Sequence, residues 1–191
     1  QWESRSVWSP DSKEIAFLEG GPDSLLYFGI QHLAVVPAAG GPVRVVSDAV
    51  DRNFVNPAWS GDGKWLYAQL EDDGSMILVR FPRAGGTMER VLPGARNVAA
   101  IASAGLHVAI VQSTVTHPDE LFALDADSTR QLSDANPWLR EIQLATQEPI
   151  STKSKDGTVV RGFVMRPVGY ASGTRVPTIL RLHGGPVSQW D

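Results

Sequence analysis

The sequence contains no cysteine, which excludes disulfides and thiolate metal sites outright. No apolar run approaches the ~18 residues that a membrane helix needs, and no signal-like segment opens the chain. Low-complexity tracts are missing, and no helical periodicity of useful length occurs before residue 140. An excess of one charge is missing too. The net charge of −4 comes from interspersed acids and bases, which argues against a nucleic-acid surface. The lack of thiols fits a reducing compartment without excluding an extracytoplasmic one, so localisation stays open. His32, His107 and His117 share no ligand-like spacing with each other or with carboxylates, and neither a metal nor another cofactor is expected. What is present is a globular chain of 191 residues, 42% apolar, enough for one large domain or two small ones.

The chain repeats itself. Trp8-Ser9-Pro10-Asp11-Ser12-Lys13 returns as Trp59-Ser60-Gly61-Asp62-Gly63-Lys64, 51 residues later, and a worn third copy runs from Ile101 to Ala109. Each copy reads as a strand end, a tight polar turn and a new strand. Asp62-Gly63 is the dipeptide preferred in two-residue hairpin turns with positive φ, and the neighbouring serine and aspartate can bond the turn's own backbone. A second signal keeps step: apolar strands run into Ala39-Gly40-Gly41, Ala84-Gly85-Gly86 and Ala126-Asp127-Ser128, then into further strands. Each unit therefore holds two hairpins, or four short strands, at the period of a propeller blade. Trp8 and Trp59 occupy equivalent positions and are expected to pack between blades. About three blades cannot close a ring, since propellers use ~4–8. Both ends of the chain read as cut, with further blades expected ahead of Gln1.

Near Asn136-Pro137-Trp138 the rhythm ends, and a hairpin is expected from Ile150 to Met165 around Asp156-Gly157. A Pro/Gly/Ser connection leads to a strand-length apolar run, Val176 to His183, bracketed by Pro177 and Pro186. It stops at His183-Gly184-Gly185-Pro186, where two glycines let the backbone turn sharply and lie close to a bound group. Alternation places Ile179, Arg181 and His183 on one side of this strand and Leu180 and Leu182 on the other. Arg181 is the odd member, because a charge in a buried strand costs free energy unless paired. The Glu71-Asp72-Asp73-Gly74 stretch reads as an acidic hairpin turn.

The Trp-Ser-Pro-Asp-Gly-Lys type of repeat resembles the blades of TolB-like and prolyl oligopeptidase-family propellers. Followed by "KSKDGTVVRGFVMRP" and "PTILRLHGGPVSQWD", it resembles the prolyl oligopeptidase family, most closely the acylaminoacyl-peptidase-like and dipeptidyl-peptidase-IV-like members. The resemblance covers the whole chain. It implies a mainly β chain: residues 1–145 as the C-terminal part of a β-propeller, and residues 146–191 as the first strands of an α/β-hydrolase domain. It also implies a serine peptidase acting on short peptides. The Gly-x-Ser-x-Gly elbow such enzymes use is absent from the sequence, so Ser, Asp and His of the triad are expected after Asp191 and the chain alone is expected to be inert. What remains is the oxyanion loop: the N–H of Gly185 as donor, Gly184 setting the turn, and His183 supporting the loop by a hydrogen bond. Arg181 is a candidate for holding a substrate carboxylate.

Two other readings stay open at this point. One is a TolB-like propeller that only binds, with residues 146–191 an appendage. The other is an esterase or amidase on the same α/β fold. Expected partners are a short peptide and the remainder of the same polypeptide, with neither nucleic acid nor membrane. Oligomeric state is left open.

Overall fold

The computed structural model describes residues 2–92, 94–125 and 128–185. Strands β1 (Glu3–Trp8), β2 (Glu14–Glu19), β3 (His32–Pro37) and β4 (Arg44–Val45) make one antiparallel meander. A second is built from β5 (Phe54–Trp59), β6 (Trp65–Glu71), β7 (Met76–Pro82) and β8 (Glu89–Arg90). A third follows with β9 (Asn97–Ala104), β10 (His107–Thr114), β11 (His117–Asp125) and β12 (Ser128–Gln131). One parallel bridge, Met76 to Asn97, joins the second and third into a continuous sheet. A separate hairpin, β13 (Gln147–Lys153) with β14 (Val159–Met165), comes last. Among the described residues helix is confined to short 3-10 turns at Asp23–Phe28 and Pro137–Glu141, and none is long and apolar enough to cross a membrane.

The three meanders stack face to face, and side-chain alternation shows it. On β7, Ile77, Val79 and Phe81 join Leu18, Leu33 and Phe54 in a core against the first sheet. The intervening Leu78 joins Val98, Val108 and Ile110 in a core against the third. Successive residues of a strand point to opposite faces, so a strand covered on both faces reads as a continuous buried run. β6 does so: Leu66 through Leu70 are all buried. β10 is buried only at alternate positions, Val108, Ile110 and Gln112. One face of the third sheet is therefore open to solvent.

The repeats agree down to single hydrogen bonds. Ser9 Oγ donates to Asp11 Oδ1 at 2.7 Å and accepts from the Glu14 N–H at 3.0 Å. Ser60 Oγ donates to Asp62 Oδ1 at 2.6 Å and accepts from the Trp65 N–H at 2.9 Å. The same turn closes the last hairpin, where Ser154 Oγ donates to Asp156 and the Thr158 N–H donates to Asp156 Oδ1 at 3.0 Å. These turns are longer than the two-residue turn expected at Asp62-Gly63. The serine hydroxyl links the two sides of the loop, so only one residue per turn, Ser12, Gly63 or Gly157, takes positive φ. The Gly-Gly turns repeat as well, with φ of 84° and 140° at Gly40 and Gly41 and 93° and 141° at Gly85 and Gly86. The third turn of that series falls partly outside the described residues.

Two expectations fail. Trp59 is buried against the first sheet, its Nε1–H donating to Val7 O at 3.3 Å. Trp8, its repeat equivalent, is 60% exposed. A blade tryptophan packs on the sheet before it, and no described sheet precedes β1. The strand expected from Val176 to His183 does not form. Residues 174–183 carry no regular structure, and Ile179 is 93% exposed. Such a strand is held by a ladder on its edges and cover on its faces, and no described segment pairs with it.

Candidate functional site

Two places bring chemistry-bearing groups together. The first is the glycine bend at the C-terminal end. Gly185 has φ of 75°, a left-handed conformation that favours glycine, and a side chain added at Gly184 would meet nothing within 4 Å. The Nδ1 of His183 lies 3.2 Å from Gly184 O. All of residues 171–185 are exposed, so Arg181, His183, Gly184 and Gly185 adjoin one another along the chain without being enclosed by another element. Pro186, Val187, Ser188 and Gln189 of the expected motif lie outside the described residues.

The second place was not singled out from sequence. Strands β1, β5 and β9, the first of each meander, lie side by side, and each is bulged at an equivalent point: between Ser4 and Val7, between Val55 and Ala58, and opposite Val111-Gln112 at Ala99. All three bulges line one cavity of about 420 Å³. Arg5 and Asn56 sit there with φ of 56° and 50°, a conformation that costs a residue such as arginine about 1–2 kcal/mol and that asparagine adopts more readily. Both stand three places before the repeat tryptophan, and Arg5 to Asn56 spans the same 51 residues as Trp8 to Trp59. The two residues differ in type, so the shared offset alone did not mark the bulges in the sequence. Asn56 Nδ2 donates to Gln69 Oε1 at 2.6 Å, and the buried Gln69 Nε2 donates to Val98 O at 2.6 Å. An amide relay thus ties the bulge of β5 to that of β9.

Elsewhere several charged groups are paired. Arg83 joins the first two meanders: its Nε donates to Glu14 Oε2 at 2.6 Å and its two terminal nitrogens to Asp11 at 3.0 and 3.2 Å. Its guanidinium also lies over the Trp59 ring, 5.4 Å from the centroid. Arg83, and then Ser9, hold the Asp11 carboxyl well below the usual carboxylate range. The acidic turn forms as expected, but its two aspartates serve arginines, and Glu71 accepts from Asn53 Nδ2 at 3.1 Å. Asp72 accepts from Arg52 and Arg90, and Asp73 pairs with Arg161 of β14 at 2.8 Å. Burial pushes the Asp72 carboxyl up, and its bonds to Arg90 and Arg52 outweigh that and hold it low. His32 lies 3.3 Å from the Ser47 hydroxyl. Among the described residues no group of three or more His, Asp or Glu is arranged to hold a metal.

No family model matches the chain. A peptidase of Bacillus subtilis, the uncharacterized YuxL, is 37% identical over 79 residues, covering 39% of this chain and 12% of that protein. Dipeptidyl-peptidase 5 of Arthroderma otae is 25% identical over 98% of this chain and 27% of its own length. The chain thus spans about a quarter or less of these relatives. Among solved structures, Pyrococcus horikoshii acylaminoacyl peptidase superposes with a TM-score of 0.67 at 21% identity, over 82% of this chain and 24% of that one. The propeller domain of the trilobed protease of Pyrococcus furiosus gives 0.54 at 23% identity, over 66% and 36%. These likenesses are to the fold: the stacked four-stranded meanders are propeller-like sheets.

Proposed function

We infer, from peptidase relatives along nearly the whole chain and peptidase neighbours in fold, that this chain is part of a prolyl oligopeptidase-family peptidase. The reading is of a serine enzyme hydrolysing short peptides. Residues 1–145 supply propeller blades that restrict access, and residues 146–191 begin the catalytic domain. A serine outside residues 1–191 attacks the scissile carbonyl, a histidine takes its proton and returns it to the leaving amine, and an aspartate orients that histidine. This chain contributes stabilisation of the oxyanion. Gly185, on its left-handed bend, turns a backbone N–H toward the developing negative charge, Gly184 leaves room for the approach, and His183 steadies the loop.

The match to dipeptidyl-peptidase 5 over 98% of the chain carries this reading, because it runs through both the repeats and the Gly-Gly segment. The strand leading into Gly184 is expected to form once the sheet of the catalytic domain lies beside it. In the full-length protein, replacing Gly185 with valine is expected to lower kcat by about 10²–10³, the effect of losing one oxyanion donor, with little change in KM. A variant that changed KM alone would remove Gly185 from the oxyanion role.

A further inference from the structure

We propose that the cavity shared by the three bulged strands is a carboxylate-binding site, and that its ligand is the free C-terminal carboxylate of a short peptide. Among the described residues, Arg5 is the one charged residue in the cavity lining, with no carboxylate beside it there. Its guanidinium makes no hydrogen bond or ion pair among the described residues, whereas Arg83, Arg52 and Arg90 are all engaged by acids. Two further lining residues, Gln31 and Asn97, have side-chain amides with no partner among the described residues. Their N–H groups and the Arg5 fork make a donor-rich wall suited to a planar, twofold acceptor.

The backbone adds a second and independent observation. Bulges re-aim side chains next to binding sites, and strained residues that persist in a fold point to function more often than chance placement does. Here three bulges converge, and two of them hold left-handed residues where glycine would sit without strain. The Asn56–Gln69–Val98 relay fixes the far wall, so the cavity is formed before any ligand arrives. The peptide identity of the ligand rests on the peptidase reading. The carboxylate does not.

The test is calorimetric titration of the full-length protein with an N-acetylated dipeptide of α-aminoisobutyric acid, which resists hydrolysis, and with its C-terminal amide. The acid is expected to bind at least about tenfold more tightly than the amide, a factor worth about 1.4 kcal/mol. Arg5→Gly removes the charge and the backbone strain together, so it is expected to fold at least as stably, checked by thermal unfolding, and to bind acid and amide equally. Equal affinity in the unaltered protein, a preference that survives in R5G, or binding of neither ligand overturns the site. Hydrolysis of a fluorogenic peptide amide by the unaltered protein is scored separately. If that fails while the acid still binds, the peptidase reading falls and the carboxylate site stands.

Discussion

At the residue scale, the three Ser-x-Asp turns form a natural substitution series. Ser12 occupies with φ of 58° the place that Gly63 and Gly157 occupy in the other two. A left-handed serine costs about 1–2 kcal/mol, and glycine there costs roughly 0.5–1 in unfolded-state entropy. Ser12→Gly is therefore expected to stabilise the chain by about 0.5–1 kcal/mol in urea unfolding, and a loss of stability would contradict this account of the turn. Gly61 faces the opposite constraint. A β-carbon there would lie 1.7 Å from Gly105 O, in the turn of the next sheet. Gly61→Ala is expected to destabilise by roughly 1–3 kcal/mol, as overpacking does. The turn aspartates also set an acid limit. The Ser154 hydroxyl, followed by the Thr158 N–H, lowers the Asp156 pKa to about 2. A carboxylate depressed in the folded state stabilises above its unfolded pKa of about 3.9 and loses that contribution as pH falls through the folded value. Amide protection in the β13–β14 hairpin is thus expected to decline between about pH 4 and pH 2 and to hold above pH 4. A decline centred near pH 6 would point to another group.

At the scale of elements, the strand pattern was legible and the strand environment less so. The Gly-Gly turns and polar turns announced the hairpins they close, because turn chemistry is local, whereas the β10–β11 turn at Thr114–His117 carried no such signal. The bulges of β1, β5 and β9 were not legible, since a bulge is a relation between two strands that a single strand does not display. The run from Val176 to His183 read as a strand because composition reports what a segment prefers when covered, and nothing described covers it. Trp8 misled for the same reason: no described sheet covers it. The sheets are also joined by a device no pattern revealed, the Arg83 cluster linking two turns far apart in sequence. A double-mutant cycle on Arg83 and Glu14 is expected to give a coupling of roughly 0.5–1 kcal/mol, toward the upper end for partly exposed pairs. The value should fall in high salt. Zero coupling at low salt would make the cluster incidental.

At the scale of the molecule, the stack of meanders is covered unevenly. The middle sheet has neighbours on both faces, the third exposes one, and β13–β14 shows Val159, Phe163 and Met165 to solvent. Hydrogen-exchange protection in the isolated chain should follow that order, with β6 slowest and β13–β14 fastest. The repeats were enough to point to propeller-like sheets. The carboxylate cavity came into view only when strands 51 residues apart were brought side by side. The most direct test of the whole account is labelling of the full-length protein with a fluorophosphonate, followed by mapping of the modified residue. The account predicts one labelled serine, outside residues 1–191, whose replacement by alanine abolishes peptide hydrolysis. Hydrolysis that persists without labelling, or a label on a serine within residues 1–191, would contradict it.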